Sequence, residues 1–316
     1  MKRGCWIYLL FLFVGVSCEP EPRVMPMPQT ATRQIVMFSA VNGLGDHGYV
    51  DLILLGAEHV YLNLPEDVYM LYCNPTTFEE AEQMADYYAH KGAAAYDSTL
   101  IVLAGSDYEP IVLKYMNDAT MNPHVDILAF EMDEPPQGYN ADHIAVFSVD
   151  MYEGSRNAGI SVAKMGFQSP LIWLANENYI LQLARDGFSD GYCSVTGVRP
   201  DTAMLSNDWH GYGMPDVTYQ QMDEKSKKYD FIYPVMGGSN MGIYRYLREH
   251  SDGPKVAGMD VDQSQYATNV IGSLVKHMDL LVEKYLNDWL NHIPWKRYEK
   301  IEASSGYIEW KLTGAE

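Results

Sequence analysis

Short apolar runs alternate with helical patterns twice along this chain, and this alternation limits the possible folds more than any other feature. A run that is apolar throughout and bounded by turn residues indicates a strand buried on both faces. Strands separated by helices indicate parallel sheets of the doubly wound α/β class. The predicted strands are Gln34–Ala40, Asp67–Tyr72, Leu100–Ala104, Asp126–Phe130 and Ile144–Val149, then Pro170–Leu174, Asp201–Leu205, Asp230–Val235 and Lys255–Met259.

No linker rich in Gly, Ser or Pro separates the two sets of strands, so the sequence predicts two lobes that share a hinge. Near the C-terminus, Arg297–Ala303 and Gly306–Leu312 alternate apolar and polar residues as the two strands of a hairpin do. We assign residues 33–148 and 263–292 to the N-terminal lobe, and residues 149–262 and 293–316 to the C-terminal lobe.

Residues 230–279 carry the strongest indication of a ligand site. A predicted strand there runs into a glycine-rich turn at Gly237, a second strand ends on Asp260, and a third apolar run ends before Lys276. An open α/β sheet holds small ligands with polar groups placed where its parallel strands end. Asp260 and Lys276 are therefore candidate ligand groups, with a structural ion pair between them as the alternative.

The N-terminus has the pattern of a processing signal followed by a tether. Residues 1–17 combine a positive start with an apolar run too short to span a bilayer, and small residues lead to Cys18. This pattern predicts a bacterial lipoprotein whose lipid anchor is attached to Cys18, with an ordinary secretory signal as the alternative. Residues 18–32 are proline-rich, which indicates a tether. The predicted location is the cell envelope, on the periplasmic or outer surface.

Composition and motifs argue against several functions. The formal net charge of -20 disfavours nucleic acid as a partner, because a phosphate backbone requires a basic surface. The sequence has no motif of a serine hydrolase, zinc protease or P-loop nucleotide-binding protein, so we predict no enzyme, no catalytic residue, no metal and no cofactor. Two of the carboxylates Glu131, Asp133 and Glu134 could form an acid–base pair, but the two prolines that follow favour a solvated loop.

Five aromatic residues fall at or just after predicted strand ends. A single aromatic there is more often part of the core, but five around one cleft could form a stacking platform for a flat ring. These residues are Tyr49, Tyr108, Trp173, Tyr179 and Trp209.

Three motifs give the chain a family resemblance. Residues 235–242 (VMGGSNMG) are similar to the V-A-G-G-[ST]-G-x-G motif of the basic membrane protein family, also called the purine-nucleoside-receptor-like family. Residues 258–264 (GMDVDQS) are similar to its G-V-D-V-D-Q-S motif, and residues 273–279 (SLVKHMD) to its S-M-V-K-R-V-D motif. The motifs occur in the family's order and at nearly its spacing, so the chain resembles a substrate-binding lipoprotein of an ABC importer.

This resemblance implies a type I periplasmic-binding-protein fold with three crossovers between its lobes, and a purine nucleoside as ligand. We expect the protein to be a monomer. In the family, aromatics enclose the base, and a carboxylate and a lysine hold the ribose. Tyr49 stands where the family has a stacking phenylalanine, and Asp260 and Lys276 stand at the ribose positions. Ala40 and Val50 depart from the pattern, because they stand where the family has aspartate and asparagine.

We therefore predict a solute-binding lipoprotein whose lobes close on a nucleoside-like ligand delivered to an ABC permease. Alternatives are a surface lipoprotein of the same fold that binds another solute, a glycan or a protein, and an enzyme that processes a nucleoside or glycoside. The predicted ligand-binding residues are Asn42, Asp46, Tyr49, Tyr108, Trp173, Asn176, Trp209, Gly237, Asp260 and Lys276.

Overall fold

The computed structural model describes residues 30–41 and 43–314. The predicted signal sequence, Cys18, the tether up to residue 29 and the predicted ligand residue Asn42 lie outside these ranges. Within the described part of the chain, no helix is long and apolar enough to cross a membrane.

The first half of the chain alternates strands and helices as predicted. Its elements are β1 (Arg33–Ser39), α1 (Tyr49–Tyr61), β2 (Val68–Cys73), α2 (Phe78–Ala89), β3 (Ser98–Ala104), α3 (Glu109–Met116), β4 (Val125–Phe130) and β5 (Ile144–Val149). The strands are apolar along most of their length because helices cover both faces of the sheet.

The second half repeats the alternation, and a long helix and two short strands follow. Its elements are α4 (Met151–Lys164), β6 (Pro170–Leu174), α5 (Tyr179–Thr196), β7 (Asp201–Met204), α6 (Pro215–Lys228), β8 (Phe231–Val235), α7 (Asn240–Glu249), β9 (Lys255–Asp260), β10 (Val270–Lys276), α8 (Met278–Leu290), β11 (Tyr298–Ile301) and β12 (Ile308–Leu312).

The strands form two six-stranded sheets. The first has the order β2-β1-β3-β4-β5-β11, and every neighbouring pair in it is parallel. The second has the order β7-β6-β8-β9-β10-β12, in which only the β10–β12 pair is antiparallel. Each sheet with its covering helices makes one lobe, so the predicted architecture of two doubly wound lobes is confirmed.

The chain crosses between the lobes three times, after β5, after β10 and between β11 and β12. The predicted lobe boundaries are wrong at two strands. β10 lies in the second sheet although we placed residues 263–292 in the first lobe, and β11 lies in the first sheet although we placed residues 293–316 in the second. Helix α8 does pack against α1 of the first lobe.

The predicted C-terminal hairpin is also wrong. β11 pairs with β5 in the first sheet, and β12 pairs with β10 in the second. Alternating apolar and polar residues show that a strand has one buried face, but they do not say which strand lies beside it. Each of these two strands completes an open sheet edge of a different lobe.

Helices α4 and α5 of the second lobe pack so closely that glycine is required where they touch. A Cβ atom on Gly187 would lie 2.1 Å from the carbonyl oxygen of Tyr152, and one on Gly191 would lie 2.1 Å from that of Arg156. From α4, a Cβ on Gly159 would lie 2.2 Å from the carbonyl oxygen of Phe188. Since backbone atoms cannot move aside as a flexible side chain can, the three glycines set the distance between these helices.

We predict that Gly187→Ala lowers the free energy of unfolding by roughly 1–3 kcal/mol, because the overpacking outweighs the higher helix propensity of alanine. Urea denaturation would measure the change. Val195→Ala, at an exposed position of the same helix, is the control and should change stability by less than about 0.5 kcal/mol. Equal stabilities of Gly187→Ala and the wild type would contradict the close approach.

Candidate ligand-binding cleft

A cleft of about 240 Å³ lies between the lobes, where the strands of both sheets end. Residues that follow β1, β3 and β4 line it from the first lobe, together with the loop that leads into α1. Residues at or after the ends of β7, β8, β9 and β10 line it from the second lobe. Of the predicted ligand residues, the cleft is lined by Asp46, Tyr49, Trp209, Gly237, Asp260 and Lys276.

Asp46 both lines the cleft and caps α1. Its carboxylate accepts hydrogen bonds from the backbone N–H groups of Gly48 and Val50, both at 2.9 Å, and of Asp51 at 3.3 Å. Burial raises the pKa of Asp46 to about 6 against the opposing effect of these bonds, and the negative charge of Asp260 raises it further. Asp46 therefore fixes the start of α1 and, with it, the position of Tyr49.

Lys276 is the last residue of β10 and the centre of a buried charge cluster. Its Nζ lies 3.4 Å from Glu131 Oε2 and 3.4 Å from Asp260 Oδ1. It also lies 4.7 Å from the centre of the Tyr49 ring, within range of a cation–π interaction. Burial alone would lower the pKa of Lys276, but the two carboxylates outweigh burial and raise it. Lys276 is therefore positively charged inside the protein.

Glu131 does not lie in the solvated loop predicted from its neighbouring prolines. Its side chain is buried, and its Oε1 accepts a hydrogen bond of 3.0 Å from the Val149 N–H at the first crossing between the lobes. Its φ of +61° is rare for a residue with a side chain, and Asp260 has a similar φ of +67°. Such conformations persist where surrounding contacts enforce them, which is common at functional sites. Glu131 and Asp260, the two carboxylates that bind Lys276, both have this rare conformation.

Asp107 is a further buried carboxyl in the cleft. It is 3% exposed, and its Oδ2 accepts a hydrogen bond of 2.8 Å from the Val41 N–H. Burial raises the pKa of Asp107 to about 6. The bond to Val41 places this carboxyl next to Ala40, where the family resemblance led us to expect an aspartate on the β1 loop.

Three aromatic side chains line the cleft. Trp209 and Tyr212 stack with ring centres 6.0 Å apart and ring planes 12° apart. The Tyr212 hydroxyl accepts a hydrogen bond of 2.8 Å from the Asn178 amide. The Tyr49 hydroxyl is buried and has no hydrogen-bond partner among the described residues. The sequence pattern identified Tyr49 and Trp209, and it missed Tyr212, which lies three residues beyond Trp209.

Four predicted positions lie behind the cleft wall and do not line it. The Tyr108 hydroxyl is buried and donates to the Ser39 carbonyl, and Trp173 lies in the core of the second sheet with Lys225 Nζ 4.3 Å from its ring. Asn176 donates to the Asp208 carbonyl at 3.1 Å and accepts from Asn178 at 2.8 Å. Tyr179 begins α5 and packs against the core. Trp173 lies within β6, and the contacts of the other three residues hold their side chains away from the cleft.

Comparison with known proteins shows the fold. No family model and no curated protein matches the chain. Among solved structures, a solute-binding protein of an ABC transporter system from Aeropyrum pernix K1 has a TM-score of 0.70 at 18% identity, covering 88% of this chain and 76% of its own. A glucose-galactose binding protein from Geobacillus stearothermophilus has a TM-score of 0.63 at 16% identity, covering 89% of this chain and 96% of its own.

A transcriptional regulator of the LacI family from Enterococcus faecalis, with bound ribose, is also similar. Its TM-score is 0.60 at 16% identity, and the match covers 89% of this chain and 96% of its own. The predicted type I periplasmic-binding-protein fold is thereby confirmed. At these identities the likeness shows the fold alone. The resemblance to the nucleoside-binding family stays a prediction.

The raised pKa of Asp107 has a consequence for stability. The unfolded chain should release this proton near the ordinary aspartate pKa of about 3.9, while the folded protein holds it up to about pH 6. The carboxyl therefore makes the fold less stable as the pH rises through this range. We predict that Asp107→Asn gains on the order of 2 kcal/mol relative to the wild type between pH 4 and pH 7.

Urea denaturation at several pH values would measure this difference, with Asp252→Asn as a control for loss of an exposed aspartate on the second lobe. A constant difference between Asp107→Asn and the wild type across the range would contradict the raised pKa.

We further predict that Lys276→Met lowers the free energy of unfolding by roughly 3–5 kcal/mol, because it leaves two buried carboxyls without their cation. Lys284→Met removes a surface lysine paired with Asp288 and should cost less than about 0.5 kcal/mol. Chemical denaturation of both variants compares them directly. A loss for Lys276→Met no larger than that for Lys284→Met would show that the cluster contributes little to stability.

Proposed function

We propose that this protein is an extracytoplasmic solute-binding protein that encloses a small, flat, hydroxylated ligand between its lobes. The observation that carries the proposal is the cleft itself, where stacked aromatic rings face a buried cluster of carboxyls and one lysine at the strand ends of both sheets. Similar structures include a glucose-galactose binding protein and a regulator with bound ribose, both with hydroxylated ligands. The shared fold supports the proposal that this protein also binds a hydroxylated ligand.

The chemistry of the cleft favours a nucleoside. Trp209 and Tyr212 offer flat surfaces to a base. Carboxylates near Lys276 can accept hydrogen bonds from ribose hydroxyls, and the unpartnered Tyr49 hydroxyl can donate one or accept one. The cleft volume of about 240 Å³ is below the roughly 300–1,000 Å³ of pockets for drug-sized molecules, so the cleft suits a small ligand. We propose a purine nucleoside, in agreement with the family resemblance.

The charges in the cleft argue against a nucleotide. Its described lining contains four carboxyl groups and one basic side chain, Lys276, whose charge two of the carboxylates already balance. A phosphate placed there would meet further negative charge in surroundings of low dielectric constant. The proposed ligand is therefore unphosphorylated.

Closure of the lobes would be the binding mechanism. The two lobes already meet at the cleft, where Gln263 Nε2 of the second lobe donates to the His47 carbonyl of the first at 3.2 Å. The ion pair between Lys276 and Glu131 also joins the lobes. A ligand that contacts both lobes stabilises the closed form more than the open form and shifts the population toward closure.

The N-terminal sequence supports a location in the cell envelope. We propose that residues 1–17 are a lipoprotein signal, that Cys18 carries the lipid, and that an ABC permease receives the ligand. In this proposal the protein is a monomer without catalytic activity.

A second candidate is a surface lipoprotein of the same fold that binds a different solute, a glycan or a protein. The observation that favours it is the apolar pair Ala40 and Val50 in the cleft lining, where the family resemblance implies polar contacts. An apolar wall in place of hydrogen-bonding groups lowers affinity for a polar ligand by on the order of 1–3 kcal/mol per missing partner.

We predict that adenosine, inosine or guanosine at millimolar concentration raises the melting temperature, whereas the matching 5′-monophosphates do not. Trp209→Ala should weaken nucleoside binding at least about tenfold, because base stacking on an aromatic ring contributes roughly 1–3 kcal/mol. Thermal-shift titration gives both results, and small-angle scattering tests closure as a decrease in the radius of gyration.

Tyr139→Ala removes an exposed tyrosine that does not line the cleft and should leave nucleoside binding unchanged. Stabilisation by monosaccharides but by no nucleoside would favour the second candidate. Stabilisation by neither class would refute the proposal of a small hydroxylated ligand.

A further inference from the structure

A second cavity lies on the first lobe, at the sheet edge opposite the ligand cleft. It measures about 450 Å³ and lies where β3, β4 and β5 begin and α8 ends. The lining residues with hydrogen-bonding side chains that matter here are Asp126, His143, Trp289, Trp295 and Arg297. We call this cavity the tryptophan groove.

One wall of the groove is held by Asp126. Its two carboxylate oxygens bind Trp289 Nε1 and His143 Nδ1, each at 3.1 Å. Two other lining residues have a polar atom without such a partner. Trp295 Nε1 and Arg297 Nε are buried and have no hydrogen-bond partner in the described part of the chain. A buried donor left unpaired costs about 1–3 kcal/mol, so the groove favours an occupant rich in acceptors.

Arg297 already shows which acceptors suit it. Its Nη2 donates to the carbonyl oxygens of two consecutive prolines, Pro135 and Pro136, and its Nη1 lies 3.5 Å from Glu134 Oε1. Proline-rich backbone is a good partner for such a guanidinium because its carbonyl oxygens have few N–H groups to compete for them. The Nε–H of the same guanidinium remains for a further carbonyl.

Strand β1 begins beside this groove. Arg33, the first residue of β1, donates from Nη1 to the Leu290 carbonyl at 2.9 Å, next to Trp289. Arg33 is also aligned with Ser98 in the pairing of β1 and β3, and Ser98 lines the groove. The Thr32 carbonyl accepts a hydrogen bond of 2.7 Å from the Asp97 N–H. The described chain thus reaches the edge of the groove at Arg33, and Thr30, whose hydroxyl donates to the Glu66 carbonyl at 3.5 Å, lies three residues before it.

Those preceding residues have the matching chemistry. Residues 19–29 read EPEPRVMPMPQ, with prolines at four of eleven positions. Proline-rich segments bind aromatic-lined grooves in an extended conformation, with their rings against aromatic faces and their carbonyls on indole N–H groups. Methionine also packs well on aromatic rings, and Met25 and Met27 alternate with two of the prolines.

We propose that the tryptophan groove binds residues 19–29 of the same chain, with Trp295 Nε1 and Arg297 Nε donating to backbone carbonyls of this segment. A tether of this length gives an effective concentration on the order of millimolar, so even a weak contact would be largely formed. The groove lies at the strand starts and the cleft at the strand ends of the same lobe. A docked tether would thus leave the domain on the side opposite the ligand cleft.

Solution NMR of the indole N–H groups tests the proposal in the chain from residue 19 to residue 316, which keeps every described element. A variant with Pro20, Pro22, Pro26 and Pro28 all changed to serine serves as the undocked form. We expect the Trp295 indole signal to differ between the two chains, with its proton exchanging with solvent at least about tenfold more slowly in the wild type.

A synthetic peptide of residues 19–30 provides the second measurement. At 1 mM, on the order of the effective concentration, it should shift the Trp295 indole signal in the serine variant and leave the wild type, whose groove is occupied, nearly unchanged. Adding Ile293→Asp, an exposed groove residue whose change should not affect folding, should abolish the peptide response. Val198→Asp, at an exposed apolar position on the other lobe, is the matched control.

Identical Trp295 signals in the two chains together with no peptide response would overturn the proposal. A peptide response that survives Ile293→Asp would also overturn it, since binding would then lie elsewhere. Neither result bears on ligand binding in the cleft, so the two proposals can fail separately.

Discussion

The geometry of the cleft depends on one buried cation, Lys276. Its ammonium group is charged, has almost no access to water, and lies between Glu131 of the first lobe and Asp260 of the second sheet. A charge this deep is tolerated only where opposite charges and hydrogen bonds replace its lost hydration. Lys276 therefore links two parts of the structure. One is the crossing after β5, where the Val149 N–H binds Glu131, and the other is the end of β10.

The remaining carboxyls of the cleft are buried at a cost in stability. Asp46 and Asp107 both have a pKa raised to about 6, mainly because they are buried. Among the described residues, neither has a basic side chain as hydrogen-bond partner, and both accept hydrogen bonds from backbone N–H groups. A protein selected only for a firm closed state would gain by replacing them with neutral side chains. Carboxyls whose pKa is shifted by burial, next to an aromatic surface, are typical of binding sites.

The sequence predicted the elements of the fold better than their partners. Runs such as Ile144–Val149 and Pro170–Leu174 were recognised at the bounds they have in the structure, because burial on both faces leaves a continuous apolar signature. β11 was placed beside β12, since periodicity along one strand contains no information about its neighbour. The same limit applies to the site: Asp260 and Lys276 follow directly from strand ends, whereas the burial of Glu131 arises from contacts distant in sequence.

The position of Lys276 next to a crossing has a mechanical consequence. The residue ends β10, and α8 of the first lobe begins two residues later. When two rigid bodies rotate about a hinge, points near the axis move little, while points far from it sweep wide arcs. In the proposed closure, the charge cluster would lie near the axis and keep its geometry as the lobes rotate. A ligand entering the open cleft would meet an anchor already assembled, with Trp209 and Tyr212 beside it on the same lobe, while first-lobe groups such as Asp107 would approach as the lobes close.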